Sequence, residues 1–313
     1  MKALVTGGAG FIGSNLVELL LAEGHDVVVL DDLSSGYAEN LFPEAEFVEG
    51  DVSVEGVAEA AATDCQVVFH LAASVGNTRS IDNPVRDSEI NVIGTLRVLE
   101  AARLRGIERV VASSSAGIFG ELKTLPIAED HPQEPDSPYG ASKLAEEKMC
   151  LVYNKLHGMK NVALRYFNVY GRRQRFDAYG NVIPIFAERM LRNQTVTIYG
   201  DGEQTRDFVH VSDVAKANYL AGTSDGAAGA FNIGSASRIS INELARVMTE
   251  ITRGDTEIVH GDPRPGDVRD SLAAVDAAGA AFGFDPSMPL DKGLRSYIEW
   301  LRGDPVTAAR WNA

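Results

Sequence analysis

The chain has 313 residues, 45% hydrophobic and 23% charged, a composition that buries a substantial core and fits one large domain or two closely packed lobes. Lys and Arg number 29 against 44 Asp and Glu, and the net charge of -15 opposes binding to nucleic acid or to an acidic membrane surface. The two cysteines, Cys65 and Cys150, stand in no metal-binding spacing, so no metal is expected, and the lack of a long apolar run or signal peptide makes the cytoplasm the expected location.

In chain order, residues 3–6 read as a buried strand. After a glycine-rich turn, Ile12, Leu16, Leu19 and Leu20 fall at helical spacing until Gly24 stops the helix, and a second strand follows over 26–30. The spacing then predicts a strand at 46–48, a helix at 54–62, a strand at 66–70 and one long helix over 85–105. A strand at 109–113, a helix at 139–157 and a strand at 161–166 complete this half. Such alternation predicts an α/β, Rossmann-like, doubly wound parallel sheet with its ligand at the carboxyl ends of the strands.

Beyond Gly171 the rhythm breaks into turn-rich stretches, 171–181 and 200–207, with helices near 182–192, 241–252 and 290–302. This half is expected to form a smaller α/β substrate-binding lobe. Residues 209–221 and 231–233 again read as helix and strand. The expected division is therefore residues 1–170 as the dinucleotide-binding domain, rejoined by about 208–235, and 171–313 as a discontinuous second lobe.

Gly7, Gly10 and Gly13 lie between the first strand and the first helix, with Phe11 and Ile12 in the same turn. Without side chains at the turn, the backbone can approach a pyrophosphate, whose charge meets the free N–H groups of the helix start. A tight turn alone can also demand glycine. The second strand ends in Asp31-Asp32, where a carboxylate accepts bonds from ribose hydroxyls and repels a 2′-phosphate, so NAD is expected over NADP. Asp51 and Val52, after the third strand, are candidate adenine contacts.

Seven segments share the order found in one family. They are Thr6 to Gly13, His70-Leu71-Ala72-Ala73, Asn91-Val92-Ile93-Gly94-Thr95, Ser113-Ser114-Ser115, Tyr139-Gly140-Ala141-Ser142-Lys143, Arg165-Tyr166-Phe167-Asn168 and Arg206-Asp207-Phe208. Over nearly its whole length the chain resembles the NAD-dependent epimerase/dehydratases, which are extended short-chain dehydrogenase/reductases. The resemblance adds Leu71, Ala72, Ala73, Asn91, Phe167, Tyr139 and Lys143 to the cofactor contacts. It also makes Ser115, Tyr139 and Lys143 the catalytic residues: Ser115 bonds the reacting sugar oxygen, Lys143 reaches the nicotinamide ribose and Tyr139 moves the proton. Four residues apart on a helix, Tyr139 and Lys143 share a face. An ammonium and an oxidised nicotinamide would together lower the phenol toward the working pH, a shift of about three units that takes roughly 4 kcal/mol.

Relatives that eliminate water place an acid pair after the serine, whereas this chain has Ala116 and Gly117. The resemblance therefore implies a C4 epimerase: a transient 4-keto sugar turns over and recovers its hydride on the other face, and NAD stays bound. It puts Asn168, Asn181 and Val182 along a UDP-hexose, Thr197 and Tyr199 around the base, Arg206 and Arg264 on the phosphates and Asp267 on the nucleotide ribose. Ser271 stands where hexose-specific relatives carry a tyrosine, which leaves room for a C2 N-acetyl group. Arg175 could instead reach a sugar carboxylate, as in uronate epimerases, and Val75 replaces a lysine found in some hexose epimerases. The resemblance also implies a homodimer built on the helices at 85–105 and 139–157, whose outward apolar residues could equally pack within the chain. A dehydratase, a uronate epimerase and a non-catalytic NAD-binding protein remain the alternatives.

Overall fold

The computed structural model describes residues 1–176, 181–263 and 268–312. Six strands of the first half, β1 (Lys2–Thr6), β2 (Asp26–Asp31), β3 (Glu46–Glu49), β4 (Val67–His70), β5 (Val110–Ser115) and β6 (Val162–Tyr166), lie parallel in one sheet. A later strand, Gly229–Ile233, pairs parallel with β6 and closes a seven-stranded order in which β1 lies between β2 and β4. The order reverses at β1, and that switch point opens a crevice at the carboxyl ends of the strands. The central strands are buried on both faces, which is why they read as apolar runs and not as alternating patterns.

Helices cover both faces. On one, α1 (Phe11–Ala22) packs with Val211–Thr223 over Val5, Leu16, Val29, Phe69 and Leu164. On the other, Leu4, Val28, Val68, Leu99 and Cys150 form the core beneath α2 (Val57–Ala61) and the helices that follow β4. A third core, with Tyr170, Phe186, Leu244, Met248, Tyr297 and Leu301, lies under helices Val182–Leu191, Ile241–Thr252 and Leu290–Gly303. A terminal helix, Pro305–Asn312, packs against the last of these. Among the described residues three further pieces of sheet are two-stranded pairs, one of them Val196–Tyr199 with Ile258–Gly261.

Two expectations need correction. The helix at 54–62 is only Val57–Ala61, because Gly56 at φ 79° turns the chain just before it. The single helix over 85–105 is three segments: α3 (Asn77–Asp82) precedes α4 (Pro84–Ser88), then a π-helical turn spans Glu89–Gly94, and α5 (Thr95–Leu104) continues. Within the wide turn, Thr95 Oγ1 donates to the Asn91 carbonyl at 2.6 Å and the Asn91 side chain turns inward. Hydrophobic spacing cannot register such an inserted residue, because the apolar stripe resumes on the far side. Among the described residues no helix is long and apolar enough to cross a membrane.

Candidate active site

The crevice is a single cleft of about 1340 Å³, and the glycine turn forms its floor. Gly7 adopts φ 69°, and a Cβ there would stand 2.6 Å from the Ala72 amide nitrogen. A Cβ on Gly13 would stand 2.1 Å from the Gly7 carbonyl oxygen. Only bare backbone fits both places, and bare backbone is what lets a phosphate come close to the helix start. Thr6 Oγ1 accepts from the Leu71 and Ala72 amides at 3.2 and 3.3 Å, so the loop after β4 is anchored to the end of β1. Beneath it, His70 is fully buried between Thr6 Oγ1 at 2.7 Å and Thr95 Oγ1 at 3.0 Å. Burial, and then the nearby Lys143 charge, push this imidazole down to about 3, so it is neutral at working pH.

At the end of β2, Asp31 accepts from the Ala9 amide at 3.0 Å and the Leu33 amide at 2.8 Å. Burial raises its carboxyl, and the two amides pull the other way. Each oxygen keeps a lone pair for a further donor. Asp32 is instead engaged in its own turn with Ser34, at 3.0 Å to the amide and 2.6 Å to the hydroxyl. Asp51 accepts from Ser53 and, at 2.6 Å, from Arg86 on α4. Burial opposes ionisation there, but Arg86 and Ser53 together hold the carboxyl below its ordinary value.

The catalytic candidates come from two elements. Ser115 ends β5, and its hydroxyl accepts from the Gly117 amide at 3.1 Å. Tyr139 and Lys143 sit in the first turns of α6 (Pro138–His157), which starts sharply because Ser137 caps it, accepting from the Gly140 amide at 3.1 Å, and because Pro138 fits the first helical position. The Tyr139 amide donates to Ser80 Oγ on α3 at 3.0 Å. All three side chains line the cleft, and the Ser115 hydroxyl, like the Lys143 charge, favours the ionised phenol. Lys143 is 1% exposed, donating to Ser113 Oγ at 3.2 Å and Glu146 Oε2 at 2.5 Å.

The expected lowering of the phenol does not hold for the protein by itself. Burial pushes Tyr139 above its ordinary value, and the Lys143 charge and the Ser115 hydroxyl do not offset it, with Glu146 and Asp87 adding to the rise. The expectation counted two cations. The chain supplies one, and that one is already paired with Glu146.

Of the expected cofactor contacts, Gly7, Gly10, Phe11, Ile12, Gly13, Asp31, Asp32, Asp51, Val52, Leu71, Ala72, Ala73, Tyr139, Lys143 and Phe167 all line this cleft. Asn91 is the exception. It is fully buried, and its amide bonds the Ser74 backbone at 2.8 and 3.0 Å and Ser142 Oγ at 3.0 Å, so it fixes the loop that the cofactor contacts come from. Of the expected substrate contacts, Ser115, Asn168 and Asn181 line the cleft. Val182, Thr197, Tyr199, Arg206 and Ser271 do not, and Ser271 is 7% exposed. Arg264 and Asp267 lie outside the described residues. Asp207, quoted only as part of a motif, holds the roof together: its carboxylate accepts from Ser235 at 2.7 Å and from the Ala273 amide at 3.0 Å.

Sequence reasoning missed Tyr37, Arg86, Arg173 and Phe176 in the cleft wall, although the arginine-rich run at 172–175 was the visible signal for one of them. Arg175 also lines the cleft, but its guanidinium is committed elsewhere, to Asp304 and to the faces of Tyr37 and Trp300. The donor set fits a dinucleotide: a side-chain-free phosphate floor, a carboxylate at the ribose position and a phenol with an ammonium at the far end.

Comparison with known proteins agrees with this geometry. Residues 3–234 match the NAD dependent epimerase/dehydratase family. A putative UDP-glucose 4-epimerase of Methanocaldococcus jannaschii is 41% identical, over 97% of this chain and 99% of its own length. Among solved structures, Thermotoga maritima UDP-glucose 4-epimerase with UDP-glucose superposes with a TM-score of 0.93 at 40% identity, covering 97% of this chain and 99% of that one. Thermus thermophilus UDP-glucose 4-epimerase complexed with NAD gives 0.89 at 39% identity, with coverage of 97% and 99%. With the glycine turn, the strand-end carboxylate and the Ser115, Tyr139 and Lys143 cluster all on one cleft, and with matches running nearly end to end, this chain belongs to the NAD-dependent epimerase/dehydratase family.

Proposed function

We propose that this enzyme inverts C4 of UDP-hexoses, interconverting UDP-glucose with UDP-galactose and UDP-N-acetylglucosamine with UDP-N-acetylgalactosamine, through a transient 4-keto sugar. The observation that carries the reading is the meeting of Ser115, Tyr139 and Lys143 on the cleft, next to Ala116 and Gly117. A dehydratase needs an acid and a base to remove water from the sugar ring, and these two positions offer neither. A 4-keto sugar formed here then has one course, the recovery of its hydride.

NAD, bound along Gly7, Gly10, Gly13 and Asp31, supplies the acceptor and donor of that hydride. Tyr139 takes the O4 proton as the alcohol is oxidised and gives it back as the ketone is reduced. Ser115, on the same cleft as the phenol, holds O4 in line with it. Lys143 supports the phenolate by charge and donates to the nicotinamide ribose. The cost of ionising a buried phenol is met only when a second positive charge, the oxidised ring, joins Lys143, so proton removal is tied to the loaded state.

Turning the sugar requires a loose grip on the hexose and a firm one on the diphosphate. Asn168 and Asn181 serve the sugar end from the cleft wall. The family resemblance, and not the cleft lining, supports Val182 beside them, Arg206 and Arg264 on the phosphates, Thr197, Tyr199 and Asp267 on the nucleoside, and the small Ser271 at C2. In this division residues 1–170, with about 208–235, carry NAD, and the second lobe carries the nucleotide sugar. The outward apolar residues Val85, Ile93, Leu104, Val152 and Leu156 support a homodimer seam. The uronate reading loses its main support because Arg175 is paired with Asp304.

The test is to give purified protein UDP-galactose and UDP-N-acetylgalactosamine and to separate the products by anion exchange. C4 epimers are expected from both. Failure with every UDP-hexose rejects the proposal, and loss of water by mass spectrometry would point to a dehydratase.

A further inference from the structure

Glu146 lies three residues beyond Lys143 on α6, and their charged ends meet at 2.5 Å with both side chains 1% exposed. Only one of its oxygens is used. Oε1 is buried and has no hydrogen-bond partner among the described residues. The adjacent Glu147 is different, since Arg165 bonds both of its oxygens at 2.8 and 2.9 Å and Ser114 Oγ adds a bond at 2.9 Å. A half-satisfied carboxylate in a dry interior is costly. Among the described residues its ionic partner is Lys143, whose charge also acts on the Tyr139 phenol.

The other groups near this pair do not compete for Lys143. On α6, Cys150 is pushed up by burial and stays a thiol; on β6, Tyr166 is pushed up in the same way, and Arg165 is engaged with Glu147. On β4, His70 is neutral. On α4, the Asp87 carboxylate accepts from Ser142 Oγ at 2.6 Å. Burial pushes the Glu146 carboxyl up to about 7, against the pull of Lys143, which places its titration within the working range.

Taking Tyr139 as the base of the proposed reaction, we propose that Glu146 is a positioning residue that acts through Lys143 to set the pH at which Tyr139 gives up its proton. Ionised, it holds the ammonium toward the helix and cancels part of the charge offered to the phenolate. Protonated, it leaves that charge to Tyr139. The two protons are coupled: the one that Glu146 takes up makes the one on the phenol easier to lose.

The experiment uses the full-length NAD-bound enzyme with 13C-labelled tyrosine, the Tyr139 resonance being identified by its loss in Tyr139→Phe. Glu146→Gln keeps the shape and removes the charge, and Glu146→Met serves the same purpose should the amide variant misfold. Either folded variant is expected to move the Tyr139 ionisation to lower pH. A displacement of about half a unit raises kcat about threefold on the part of the acid limb above about pH 7, where native Glu146 is ionised, with KM and bound NAD unchanged, and the native and variant limbs converge below it. An unchanged Tyr139 midpoint in a folded variant overturns the proposal. The midpoint is read without substrate, so a shift in an enzyme that epimerises no UDP-hexose would uphold Glu146 and reject the reaction, while normal epimerisation with a fixed midpoint would do the reverse.

Discussion

Arg175 donates to both carboxylate oxygens of Asp304, from Nε at 3.0 Å and Nη2 at 2.9 Å, although 129 residues separate them. The pair is nearly buried, and the remaining nitrogen, Nη1, reaches Asn40 Oδ1 at 3.2 Å. A guanidinium satisfied in this way has little to offer a sugar carboxylate, because recruiting it would strand Asp304. UDP-glucuronate should therefore be turned over at least about tenfold less efficiently than UDP-glucose in kcat/KM, a difference of ~1.4 kcal/mol. Equal efficiency for the two substrates would mean that the carboxylate finds another cation.

The phosphate floor depends on Gly13, where the contact of 2.1 Å to the Gly7 carbonyl admits no methyl. Gly13→Ala should yield protein with at least about tenfold weaker NAD binding, the turn having to open before the backbone can meet the pyrophosphate. NAD released from the purified variant on denaturation provides the measurement. A stoichiometric yield would show that the coenzyme does not rest on this turn.

Arg165 and Glu147 form a nearly fully enclosed ion pair, at 4% and 0% exposure. Arg165→Met leaves Glu147 charged and unmatched, and urea unfolding should show a loss of about 3–5 kcal/mol. The double change to Met at both positions should recover most of it. A double variant as weak as the single one would mean that the pair stabilises by more than relief of a stranded charge.

His70 gives stability a pH dependence of definite sign. Its folded value near 3 lies below the ordinary 6.5, so its contribution is fully present above pH 6.5 and is lost as the pH falls toward 3. Relative to His70→Gln, the native protein should lose about 3 kcal/mol between pH 7 and pH 4. Parallel stability curves for the two proteins would show that the imidazole is not the titrating group.

The sheet was legible because parallel strands buried on both faces leave uninterrupted apolar runs such as Leu4-Val5 and Val67-Val68-Phe69, and the spacing of Tyr139 and Lys143 announces a shared helical face. What escaped depends on contacts that local pattern does not carry. The π turn at Glu89–Gly94 hides an extra residue inside a continuous apolar stripe and turns Asn91 inward. The Tyr139 phenol is raised first by burial, a tertiary property, and Glu146, a charge that belongs to no motif, adds to the rise. The engagement of Arg175 depends on Asp304, far along the chain. Motifs identify which residues meet at the cleft, whereas partners brought in by tertiary packing set their charge and freedom.

The return of hydride to the carbon that lost it is the heart of the account, and UDP-galactose carrying deuterium at C4 tests it directly. After conversion in ordinary water, the UDP-glucose formed should hold the deuterium at C4 in full, with none in the solvent. Loss of the label to water would mean that C4 inverts by proton exchange, and the oxidation at Tyr139 would have no place in the reaction.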